Sequence, residues 1–70
     1  MAQDPAPFPV TLVLDSEGHF VLTAALEELA SREEHAAADE SHQSSRDWRL
    51  SLAARARRML DEIEDALERS

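Results

Sequence analysis

Residues 10–23 read Val10-Thr11-Leu12-Val13-Leu14-Asp15-Ser16-Glu17-Gly18-His19-Phe20-Val21-Leu22-Thr23, and the way they fold decides the class of the chain. Two β-rich runs, 10–14 and 19–23, enclose a four-residue stretch that ends in the one glycine of the sequence. Asp favours the opening position of a type I turn, and Gly accepts the left-handed backbone that follows it. This pattern predicts a β-hairpin with Leu14 opposite His19, Val13 opposite Phe20 and Leu12 opposite Val21. The alternative is a mostly α chain: one short strand to Leu14, Asp15 as N-cap and a helix from Ser16. That helix would carry Gly18 in its first turns and would leave Phe20 and Val21 off the apolar stripe of Leu22, Ala25, Leu26 and Leu29. The hairpin is therefore the expectation.

Upstream, Pro5, Pro7 and Pro9 exclude helix and remove backbone donors, so residues 1–9 read as an extended Pro-rich arm. Downstream, 24–37 has helical composition, with Thr23 placed to cap it and Glu27 and Glu28 near its positive end. Residues 38–45 are polar and aperiodic, which reads as a loop. Residues 46–69 form the clearest element. Ser45 is an apt N-cap, and Trp48, Leu52, Ala56, Met59, Leu60, Ile63, Ala66 and Leu67 share one broad face at 100° per residue. The seam Leu52, Ala56, Met59, Ile63, Ala66 steps by four and three, but it is too short for a free-standing coiled coil. The expected architecture is α+β: an N-terminal β-hairpin followed by an antiparallel two-helix hairpin, dimeric, with residues 10–70 as a single small domain.

Seventy residues with no cysteine and three aromatic side chains offer a thin core and no disulfide. Chains of this size usually need a staple or a second subunit. The hairpin would be apolar on both faces, which implies helices over one side and a second copy or target protein over the other, unless a slipped register or a bulge restores one polar face. The interface expected from these patterns comprises Val13, Phe20 and Leu22 from the hairpin and Trp48, Arg49, Leu52, Met59 and Ile63 from the last helix. Arg49 falls inside the apolar sector, where it would meet solvent, a second chain or an acid from the preceding helix.

The formal net charge is −8. An excess of that sign opposes general attraction to phosphate backbones or anionic lipid. Its distribution is uneven: acids dominate residues 1–44 and 61–70, whereas 45–60 hold Arg46, Arg49, Arg55, Arg57 and Arg58 against Asp47 alone. Arg57 with Asp61, and Arg58 with Glu62, have the spacing of ordinary helix-surface pairs, so the band is read as a solvated surface rather than a nucleic-acid contact. The acidic surface Glu27, Glu28, Glu33 and Glu34 supports an alternative in which the chain imitates nucleic acid, as a phage anti-defence protein or small antitoxin would. His35, Asp39 and His42 step by four and three, but structural zinc needs four firmly held ligands; no metal is expected. His19 is expected to serve packing or hydrogen bonding.

No nucleophile with a base and an orienting group is visible, and a single glycine cannot build a phosphate-cradling loop. No catalytic residue, cofactor or small-molecule substrate is expected. No apolar run approaches the roughly 20 residues that span a bilayer, and residues 1–4 lack the features of a signal peptide; the expected location is the cytoplasm. The absence of Lys, Asn and Tyr beside abundant Ala and Arg fits a GC-rich bacterial or phage genome. The sequence thus predicts a small acidic, non-enzymatic interaction module that binds another protein, itself, or both.

Overall fold

The computed structural model describes residues 7–69. It consists of two long helices, α1 at Ser16–Asp39 and α2 at Gln43–Arg69, folded back on one another. Among the described residues there is no strand and no sheet. The predicted β-hairpin at 10–23 does not form. Of the Pro-rich arm, residues 1–6 lie outside the described residues; residues 7–15 belong to no helix.

Asp15 is the reason. Its backbone is extended and its Oδ1 accepts a hydrogen bond from the Gly18 amide at 2.7 Å. The Asp15 carbonyl accepts the His19 amide at 2.9 Å. A carboxylate over the first turn satisfies an orphan donor and complements the positive end of the helix. Gly18 has no positive φ, so the turn conformation that favoured a hairpin is not what it supplies. A Cβ there would sit 3.1 Å from Asp15 Oδ1 and 3.4 Å from Leu14 Cδ2, so the glycine admits the cap and Leu14 at close range. The helix does put Phe20 and Val21 off the buried stripe, and both are solvent-exposed. Thr23 is not a cap. It lies within α1 and donates its hydroxyl back to the carbonyls of His19 (2.9 Å) and Phe20 (3.2 Å), an interior role open to Thr.

The connection is shorter than the predicted 38–45: only residues 40–42 separate the helices. The Glu40 amide donates to the Ala37 carbonyl at 3.2 Å, and the Glu40 carboxylate accepts the His42 amide at 3.1 Å. Arg46, one turn into α2, donates through Nε and Nη2 to the Glu40 carbonyl at 3.3 and 3.1 Å. That cation supplies the C-terminal charge that α1 itself lacks. Ser45, expected as N-cap, lies inside α2.

The seam between the helices is made of alanine. The buried residues are Ala30 and Ala37 on α1 and Ala53 and Ala56 on α2, with Leu26 and Leu29 packed partly against them. Along α1 the less exposed residues 22, 26, 29, 30, 33, 36 and 37 form a stripe, joined near the start of the helix by 18, 19, 23 and 24, and those of α2 follow 45, 49, 52, 53, 56, 60, 63. These are the steps of three and four that keep one helical face toward a partner. Small residues let the two backbones approach closely, and no large side chain is fully buried.

Two outcomes follow from this packing. Asp15→Ala is expected to cost about 1 kcal/mol and to increase amide exchange at Gly18 and His19 before the rest of α1; unchanged exchange there would contradict the cap. Ala53→Leu is expected to destabilise the helix pair by about 1–3 kcal/mol through overpacking, read as a lower thermal midpoint by circular dichroism.

Candidate functional site

The open end of the helical hairpin carries an apolar groove. Residues 10–14 run beside the start of α1 and the last turns of α2 without a single backbone hydrogen bond. Val10, Leu12 and Leu14 line a groove of about 910 Å³, whose other walls are Asp15, Ser16, His19 and Leu22 from the start of α1 and Met59, Glu62, Ile63, Ala66 and Leu67 from α2. A second concavity of about 530 Å³ continues under Leu12 and Leu14 to Gly18, Val21 and Ala25. Thr11 and Val13 line neither, and Val13 is 96% exposed. Alternate residues therefore face the helices, the period of an extended chain.

Among the residues expected at an interface, Leu22, Met59 and Ile63 come together in this groove. Leu52 is half-buried in the helix seam. Val13, Phe20 and Trp48 stand outside both; Phe20 is 69% and Trp48 65% exposed. Val10, Leu12 and Leu14, whose sequence role was one hairpin strand, prove to be a wall of the groove. Helical cover over one face of this segment is what its two apolar faces imply; the second strand expected to pair with it is absent.

The groove is mostly apolar but its rim is ionisable. Asp15 and Glu62 stand at its edge, and His19 is partly buried in its wall. His19 Nε2 makes no hydrogen bond and lies 4.0 Å from Glu64 Oε1. A buried nitrogen without a partner is a cost that a docked donor or acceptor could remove.

Elsewhere the charged residues hold the hairpin together. Arg49 donates Nη1 to Glu33 Oε2 at 3.0 Å and has Nε 3.9 Å from Glu40 Oε2. Both Arg49 and Glu33 lie on the seam, so the acid that Arg49 meets comes from the preceding helix. A single polar pair among apolar seam positions selects one register. Arg57 makes a two-pronged contact with Glu34, Nη2 to Oε1 at 2.6 Å and Nε to Oε2 at 3.0 Å. Arg57 therefore reaches across to α1 rather than along α2 to Asp61. The Arg57 hydrogen bond holds the Glu34 carboxyl below the usual glutamate range, and the same contact raises Arg57. Of the four residues of the expected acidic surface, Glu33 and Glu34 are thus matched internally, while Glu27 and Glu28 are exposed.

His35 is committed to its own helix, with Nδ1 2.8 Å from the Ser31 carbonyl. Among the described residues no three His, Cys, Asp or Glu side chains converge in a way that could hold a metal ion. No helix of the described residues is long and apolar enough to cross a membrane. Comparisons with protein-family models, curated proteins and solved structures found no match.

The two ion pairs should respond differently to mutation. Arg49→Ala leaves Glu33 on the seam without its partner and is expected to cost about 1–2 kcal/mol, whereas Arg57→Ala, at an exposed pair, should barely move the thermal midpoint. Because the Glu34 pKa is lowered on folding, its contribution is present at neutral pH and is lost as pH falls through the depressed value. At an exposed pair that contribution is small, so Glu34→Gln should change the acid limb of the stability profile only slightly, measured by circular dichroism between pH 7 and pH 2.

Proposed function

We propose that this chain is a non-enzymatic protein-interaction module whose working surface is the apolar groove between residues 10–14, the start of α1 and the end of α2. One observation carries the reading: large apolar side chains lie on the surface while the buried positions hold only alanine. Among the exposed ones are Val10, Leu12, Val13, Phe20, Met59 and Leu67. A stable domain normally packs two layers around one core; here one layer of helices is partly covered by a short extended segment. The smallest dimension is 16 Å and the radius of gyration is 14.5 Å, against about 11 Å for a compact chain of this length.

Contiguous exposed apolar surface with a polar rim marks a contact site in soluble proteins. The alternative reading, an acidic surface imitating nucleic acid, draws less support, because Arg49 and Arg57 of the same chain already engage Glu33 and Glu34. In the favoured reading the acids keep the chain dispersed and the groove makes the contact.

Salt and a groove substitution test this together. The tagged chain is expected to retain a polypeptide, another protein or the untagged chain, at both about 0.15 M and about 0.5 M salt, since apolar docking survives the screening that abolishes ionic contacts. Met59→Asp, at a half-exposed site that tolerates polarity, should abolish retention while leaving helicity intact. Release of the bound material by salt with M59D still binding would overturn the reading.

A further inference from the structure

Residues 10–14 are an extended segment of β-favouring side chains whose backbone donors and acceptors are unpaired. They carry no charge and no proline between Pro9 and Asp15, so nothing within the five residues themselves blocks pairing. A lone extended segment is not stable as a strand and seeks a neighbour. Because every copy presents the same segment, two copies can satisfy each other about a two-fold axis. We propose that the occupant of this surface is a second copy of the chain, joined by antiparallel pairing of residues 10–14 about Leu12. The inference rests on the interaction-module reading and names its partner.

The register follows from side-chain direction. With Leu12 on the axis, Leu12 faces Leu12 of the second copy, Val10 faces Leu14, and Thr11 faces Val13. Opposed residues of an antiparallel pair share a face. Val10, Leu12 and Leu14 of both copies would then form one apolar strip against both helical layers, joining the two grooves. Thr11 and Val13 would lie on the outer face, where Val13 already stands exposed. Any slip by an odd number of residues would set groove-facing side chains opposite outward-facing ones.

The surface area matches this assignment. The accessible surface is 6114 Å² for 7.8 kDa, whereas a compact protein of that mass exposes about 4,400 Å². The excess of roughly 1,700 Å² per chain is surface that a second copy can cover in part. Two chains of charge −8 repel, and Asp15 and Glu62 border the shared groove. Salt should therefore strengthen this contact, whereas it would weaken docking to a basic partner.

Sedimentation and crosslinking of the 70-residue chain test the proposal. Equilibrium sedimentation from about 1 to 300 µM is expected to show a monomer–dimer equilibrium that shifts toward dimer between 0.05 and 0.5 M sodium chloride, concentrations chosen to span the screening length from about 14 to 4 Å. The native sequence has no cysteine, so single substitutions report the register. L12C should oxidise to a covalent dimer, because residues opposite one another on antiparallel strands lie within disulfide reach. T11C mixed with V13C should crosslink in preference to either alone, and D47C should not. A folded monomer at 300 µM, or a dimer in which L12C crosslinks no faster than D47C, overturns the inference. A monomer that still retains another protein through Met59 leaves the interaction reading standing with a different occupant; a monomer that retains nothing removes both.

Discussion

The fully buried positions between the two helices hold only alanine, and that limits what the pair can bury. Ala30 packs with Ala53 and Ala56, and the leucines beside them, Leu26 and Leu29, stay only partly buried. The alternation of burial along α1 and α2 is regular, yet the apolar area it removes from water is small. Isolated helices draw most of their stability from packing of an amphipathic face, and here much apolar surface lies beside the seam rather than in it. The groove is the direct consequence. It is where the side chains that the alanine seam excludes collect, under a short segment too narrow to cover them.

Polar contacts supply the specificity that alanine cannot. Methyl groups pack in several registers with little difference in energy, whereas Arg49 has its partner at Glu33 only when the helices are aligned as observed. Arg46 at the Glu40 carbonyl and Arg57 at Glu34 act toward the same alignment. The basic band of residues 45–60 is thereby explained in large part by the acids of α1, and the charge asymmetry along the sequence becomes a feature of the hairpin. Arg55 and Arg58 are exposed and have no comparable contact.

The long helix α2 was legible because its apolar period is unbroken by Gly or Pro. For Arg49 the apolar sector leaves an acid, a second chain or solvent equally open; Glu33 of α1 is the partner it meets, within the chain rather than at the interface expected for it. The β-hairpin fails for a physical reason. Residues 10–23 contain two segments of β propensity around a turn-like tetrapeptide, but Asp15 caps a helix start there, and the helix that follows packs against α2. Local propensity is a weak prior that such packing overrides. Phe20 and Val21 argued against helix because a helix would expose them; the chain tolerates that exposure. Which alanines would be buried was not legible from periodicity alone, because Ala25, Ala30, Ala36, Ala37, Ala53 and Ala56 have the same chemistry and differ only in the angle at which the helices meet.

One copy of this helix pair leaves much of its own apolar surface in water. The most direct measurement is a urea titration at about 1 µM, followed by circular dichroism at 222 nm and fluorescence of Trp48, with sedimentation confirming the monomer. Small cooperative domains unfold with a stability of about 5–15 kcal/mol. A shallow loss of helix with far less than that is expected, rising as chain concentration or a bound polypeptide is increased. A sharp, concentration-independent transition of 5 kcal/mol or more in the monomer would contradict it.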